Sequence, residues 1–88
     1  MNVHSEKIDQ AILSDIAEKK LGVGDRIPTE AVLAKHFATS RMNAHYAVKR
    51  LESENVVERM KRRGTFVKKH LTQVALNDLR NHISGIVR

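Results

Sequence analysis

Thr29-Glu30-Ala31-Val32-Leu33-Ala34-Lys35-His36-Phe37-Ala38-Thr39-Ser40-Arg41-Met42-Asn43-Ala44-His45-Tyr46-Ala47-Val48-Lys49-Arg50-Leu51 is the stretch on which the fold turns. Thr29 caps a short helix over 30–37, with Val32, Leu33, Ala34 and Phe37 on its apolar side. Ala38-Thr39-Ser40 breaks that pattern and offers Thr39 or Ser40 as the next cap. A longer helix follows over 41–53. Its inner face is Ala44, Ala47, Val48 and Leu51, at the i, i+3, i+4, i+7 spacing of one helix side. Its outer face carries Arg41, Met42, His45, Tyr46 and Lys49, with Asn43 at the edge. The two alanines allow close crossing by the preceding helix. A short helix and a longer one joined by about three residues make a helix-turn-helix.

Upstream, Ile8, Ala11, Ile12 and Ile16 recur near every fourth residue, widened by Leu13 and Ala17, and predict a helix over 6–20 with Ser5 as N-cap. Gly22 and Gly24 stop it, and Val23-Gly24-Asp25 reads as a turn. Pro28 biases its predecessor towards extended backbone, so Arg26-Ile27 reads as a short strand. Downstream, Asn55 ends the longer helix as a left-handed cap. Residues 56–60 and 65–69 are strand-like, and Lys61-Arg62-Arg63-Gly64 is the loop between them. This basic hairpin is a wing. Leu76, Leu79 and Ile83 mark the face of one more helix, broken at Ser84-Gly85. The fold class is mainly α with a small β-hairpin, a winged helix-turn-helix.

Eighty-eight residues, 41% of them hydrophobic, make one small domain and exclude a large barrel or a full doubly wound sheet. There is no cysteine, which removes disulfides, thiolate metal sites and cysteine nucleophiles and fits the reducing cytoplasm. No apolar run approaches the ~20 residues that span a bilayer. The start, Met1 to Lys7, lacks the apolar stretch of a signal peptide, so no membrane partner is expected. Histidines at 4, 36, 45, 70 and 82 are scattered, so no metal site is expected. No nucleophile–base set stands at recognisable spacing. Gly22-Val23-Gly24 lacks the Gly-Lys-Ser/Thr of a phosphate loop. Neither catalytic residues nor a cofactor is expected.

Charge points to a partner. The formal net charge is +6, and it is uneven. Residues 1–34 are net −2, whereas residues 35–70 hold ten basic and three acidic groups, net +7. A positive field focused on one segment attracts polyanions. Phe37, Tyr46 and Phe66 are the whole aromatic set, too few for the stacking that single-stranded RNA recognition relies on.

Asp25-Arg26-Ile27-Pro28-Thr29-Glu30 with Leu33-Ala34, then Phe37-Ala38-Thr39-Ser40-Arg41-Met42, Ala47-Val48-Lys49-Arg50-Leu51-Glu52 and Arg63-Gly64-Thr65-Phe66-Val67 follow one another in order and spacing. Together they resemble the N-terminal DNA-binding domain of GntR-type bacterial transcription regulators, over roughly residues 6–69. The resemblance implies a head at 1–70, with 71–88 as linker or as the start of a missing effector and dimerisation domain. A free-standing small protein is the alternative. It implies double-stranded, palindromic operator DNA as partner, a homodimer in the full-length protein, repression as the default, and a small-molecule effector bound only through the domain absent from this chain. A winged helix used for protein contacts is the other functional reading.

On that resemblance, Arg41 contacts a phosphate or a guanine edge. His45 stands where the family often has a second arginine, which weakens phosphate attraction and alters base preference. Asn43 pairs with adenine if it points outward. Met42 meets a thymine methyl or packs against the turn. Tyr46 offers a hydroxyl to a phosphate or covers the helix surface. Lys49 positions on the backbone. Thr29 lies at a helix N-terminus that can hold a phosphate, whereas Ala31 stands where an arginine is common. Val32 replaces the acidic residue of a capping box. In the wing, Lys61, Arg62, Arg63, Gly64 and Thr65 complete the DNA-binding set, with Lys68 and Lys69 adding charge. Arg62 replaces a usual glycine and stiffens the tip, and Gly64 allows close backbone approach. Phe66 and Val67 read as core and hinge packing.

Overall fold

The apolar positions of the three helical stretches converge on one cluster. Ile8, Ile12, Leu13 and Ile16 meet Leu33 and Ala34, then Ala44, Ala47, Val48 and Leu51, and finally Val56, Val57 and Val67. Each fully buried Ile or Leu contributes about 1.5–3 kcal/mol of transfer free energy. This arrangement is that of a computed structural model describing residues 3–69 and Asp78. The order is α1 (Val3–Ala17), α2 (Glu30–His36), α3 (Arg41–Ser53), β1 (Val57–Met60) and β2 (Gly64–Val67). The fold class is as expected: three helices and an antiparallel hairpin. The helix suggested by Leu76, Leu79 and Ile83 lies outside the described residues.

Helix α1 begins and ends three residues earlier than the periodicity suggests. Ser5 is not its cap. It lies inside the helix, buried, with its Oγ accepting a 3.0 Å bond from Arg50 Nη2. The helix stops not at the glycines but at Lys19, whose φ of 64° is left-handed. The two caps of the helix-turn-helix are the expected ones. Thr29 Oγ1 accepts from Val32 N at 3.2 Å, and Ser40 Oγ accepts from Asn43 N at 3.1 Å. Helix α2 has seven residues, too few to persist alone, so packing on α3 sustains it. Val32 is not on the apolar side. It is 54% exposed, because Leu33 and Ala34 already fill the gap facing α3.

The hairpin is tighter than its sequence suggests. Val57 pairs with Val67, Glu58 with Phe66, Arg59 with Thr65 and Met60 with Gly64. Gly64 therefore belongs to β2, and the loop is Lys61-Arg62-Arg63 alone. Val56 lies outside β1, although its carbonyl accepts from Lys68 N at 2.8 Å. The strand expected at Arg26-Ile27 is realised as one bridge from Arg26 to Phe66, flanked by Ile27 N to Thr65 O and Val67 N to Asp25 O, both 2.9 Å. The wing root is thereby tied to the loop before α2. Val67 is core, whereas Phe66 is half-buried and outside the cluster. Asn55, at φ 62°, ends α3 in the left-handed conformation expected of it.

One polar contact crosses the core. Asp9, on α1, is fully buried. Its Oδ2 accepts from Arg50 Nε at 2.8 Å and Nη2 at 2.6 Å, joining α1 to α3. Oδ1 has no hydrogen-bond partner among the described residues. Burial pushes the Asp9 carboxyl from its ordinary 3.8 up to about 7, against the opposing pull of Arg50. The folded chain thus holds this proton more tightly than the unfolded chain. Stability carried by Asp9 is complete below about pH 3.8 and falls as pH rises through about 7. In Asp9→Asn, chemical-denaturation midpoints measured across that range should lose this decline. Arg50→Met, which strands the buried carboxyl, should cost about 3–5 kcal/mol near neutrality.

Candidate nucleic-acid interface

Burial of Ala44, Ala47, Val48 and Leu51 leaves α3 one free stripe. Arg41, Met42, Tyr46 and Lys49 are exposed along it, and His45 is half-exposed. Arg41 opens the helix, where its cation opposes the helix dipole. It also borders a cleft of about 230 Å³ between α2, α3 and the wing root. Thr29, Gly64 and Thr65 line the same cleft, so four of the sequence-derived candidates converge on one concavity.

Asn43 turns towards the preceding turn. It is half-buried, and its Nδ2 donates to Thr39 Oγ1 at 2.7 Å. That bond uses one of the two Nδ2 hydrogens and fixes the orientation of the amide. Tyr46 leans on His45, ring centroids 6.3 Å apart.

Lys61, Arg62 and Arg63 are all exposed at the wing tip. Arg63 N donates to Met60 O at 3.0 Å, closing a turn in which Arg62 has φ 66°. Positive φ at the third residue of such a turn favours glycine, so Arg62 places a cation at the tip against a backbone cost. Gly64 is constrained twice. Its φ is 119°, and a Cβ there would stand 2.7 Å from Arg26 Nε.

Three residues missed by sequence reasoning belong here. Arg26 packs over Gly64 and lines the cleft. Glu30 Oε2 accepts from Arg59 Nη2 at 2.8 Å and lies 3.0 Å from His45 Nδ1. Burial raises the Glu30 carboxyl, but the bonds from Arg59 and His45 outweigh it and hold the group below its ordinary 4.5. Glu30 and Arg59 sit next to residues that drew attention, at 15 and 29 residues' separation between partners, and neither leaves a local signature. Among the described residues, no three His, Asp or Glu side chains gather as metal ligands, and no helix is long and apolar enough to cross a membrane.

The profile of "Bacterial regulatory proteins, gntR family" matches residues 4–67. The chain is 38% identical over 82 residues to the histidine utilization repressor of Klebsiella aerogenes, covering 93% of this chain and 34% of that protein. It is 34% identical over 62 residues to the mannosyl-D-glycerate transport/metabolism system repressor MngR of Escherichia coli K12, covering 70% and 26%. The chain therefore spans about a third or less of these curated relatives. Among solved structures it resembles AraR(DBD) in complex with operator ORR3, with TM-score 0.71, 30% identity, and 76% of this chain and 81% of that one covered. A transcriptional regulator from Oenococcus oeni shares the fold at TM-score 0.74 and 20% identity, over 97% and 70% of the two chains.

Arg62→Gly separates the tip's charge from its backbone cost. Relief of the left-handed arginine, ~1–2 kcal/mol, exceeds the entropy cost of glycine, ~0.5–1 kcal/mol. Thermal unfolding should therefore shift upward by a few degrees, while any affinity for duplex DNA falls.

Proposed function

We infer from membership of the gntR family of bacterial regulatory proteins, to which this chain belongs, that it is the duplex-DNA-binding head of a transcription regulator. The observation that carries this reading is the convergence of the α3 start, the α2 cap and the wing root on one cleft, beside an exposed basic tip. Helix α3 enters the major groove, and the wing lies along the flanking backbone. Arg41 reads a base edge. Lys49, Lys61, Arg62 and Arg63 neutralise phosphates, and Thr29 places the α2 N-terminus near another. Met42, Tyr46, Gly64 and Thr65 shape the close contact. The chemistry is binding, with no reaction catalysed. Both curated relatives described above are named repressors, which supports repression here.

The head comprises residues 1–70, and 71–88 lead towards an effector-binding and dimerising domain. The full-length protein is a cytoplasmic homodimer on a palindromic operator, because a two-fold protein matches a two-fold site. A small-molecule effector acts through the further domain alone.

Salt and two substitutions test the reading. Duplex affinity should fall steeply with salt. A log–log slope near zero would favour a protein-contact module instead. Arg41→Ala should reduce discrimination between preferred and scrambled duplexes by ~1–3 kcal/mol. Lys49→Ala should weaken both duplexes about equally and lower the salt slope by ~1. Titrations of the two variants at two salt concentrations check both outcomes.

A further inference from the structure

The contact at Glu30 decides the chemistry that His45 shows to solvent. Glu30 is held ionised, so it has no proton to give, and His45 Nδ1 is the donor across the 3.0 Å contact. An imidazole protonated on Nδ1 carries, when neutral, a lone pair on Nε2. No described residue bonds Nε2, and the His45 side chain is 39% exposed on the free stripe of α3, one turn beyond Arg41. The charged groups around it are Glu30 from α2, Arg59 from β1 through the same carboxylate oxygen, and Arg41 and Lys49 one turn to either side on α3.

We propose that Glu30 is a positioning residue that fixes the proton of the neutral His45 imidazole on Nδ1, so that Nε2 accepts a hydrogen bond and His45 selects an amine-bearing base, cytosine or adenine, in the major groove. The proposal rests on the DNA-binding reading above. In the major groove the only base donors are the N4 amine of cytosine and the N6 amine of adenine. Guanine presents N7 and O6, and thymine presents O4, all acceptors. A lone pair on Nε2 meets the first two with a bond and the others with repulsion. The code is therefore amino against keto on the strand that His45 faces. An arginine at this place would do the reverse, donating two parallel bonds to guanine. Arg59 donates to the same Glu30 oxygen, so it supports the carboxylate without setting the tautomer.

The test is enrichment of random duplexes on the immobilised chain, at low salt and about pH 8.5, above the ordinary imidazole range. One position of the selected site should favour cytosine or adenine over guanine and thymine by about tenfold. His45→Arg should move that position alone to guanine. Glu30→Leu should reduce the tenfold preference to near unity, whereas Arg59→Met should keep it even if overall affinity drops. Nitrogen-15 NMR of the imidazole in the unmodified chain should show Nδ1 protonated, a readout independent of how the Glu30 variant folds. Protonation on Nε2 instead overturns the proposal. So does a selected site with no position that changes on His45→Arg, and in that case the DNA-binding reading stands. If no duplex is enriched at all, the DNA-binding reading fails and takes the proposal with it.

Discussion

The packing of α3 against its neighbours governs the arrangement of the rest of the domain. Ala44, Ala47, Val48 and Leu51 are at most 2% exposed, and they face α1, α2 and the hairpin at once. Side chains larger than alanine at 44 and 47 would push the neighbouring helices apart, since cores packed this closely feel even one added methylene. The free stripe is consequently narrow. Arg41, His45 and Lys49 follow one another at single-turn intervals along it, with Met42 and Tyr46 alongside, so a few side chains carry whatever the helix recognises.

The basic residues of α3 and the hairpin divide into two populations. Arg50 and Arg59 are engaged within the protein, the first with Asp9 and Ser5 and the second with Glu30. They tie α1 to α3 and α2 to β1. The exposed group at 41, 49 and 61–63 remains for a polyanion. Breaking the Arg50 pair would strand the buried Asp9 carboxylate, and the effect would be felt as lost stability, whereas Glu30 without Arg59 would keep its contact with His45. Removing an exposed cation changes long-range attraction, which salt screens. Glu30 is the acidic exception inside a positive face, and its negative charge is covered by its two partners.

Backbone strain is concentrated at the junctions. Lys19, Ala38, Asn55 and Arg62 are the left-handed residues without a glycine's freedom among those described. They end α1, form the turn before α3, cap α3 and make the wing tip. Only asparagine is at ease there. At Ala38 and Arg62 the residues themselves disfavour the conformation, and the paired or packed elements on either side hold it.

Local chemistry was enough to make the helix-turn-helix and the wing legible in the sequence. Thr29 and Ser40 cap because an oxygen sits two or three residues before unpaired N–H groups. The face of α3 follows from 3.6-residue periodicity, and Asn55 stops the helix within its own turn. Each of these acts over fewer than about five residues, so it is written in adjacent letters. The sites of Ser5, Asp9, Glu30 and Arg59 were decided only when the chain closed. Arg50 meets Asp9 and Ser5 across 41 and 45 residues, and Glu30 meets His45 and Arg59 across 15 and 29. No periodicity connects such positions. Ser5 looks like a cap in sequence because serine before a helix usually is one, yet the helix runs past it and Arg50 takes its oxygen. The charge of the wing was legible, but which of its cations is paired was not, because Glu30, the partner of Arg59, lies 29 residues away in the chain.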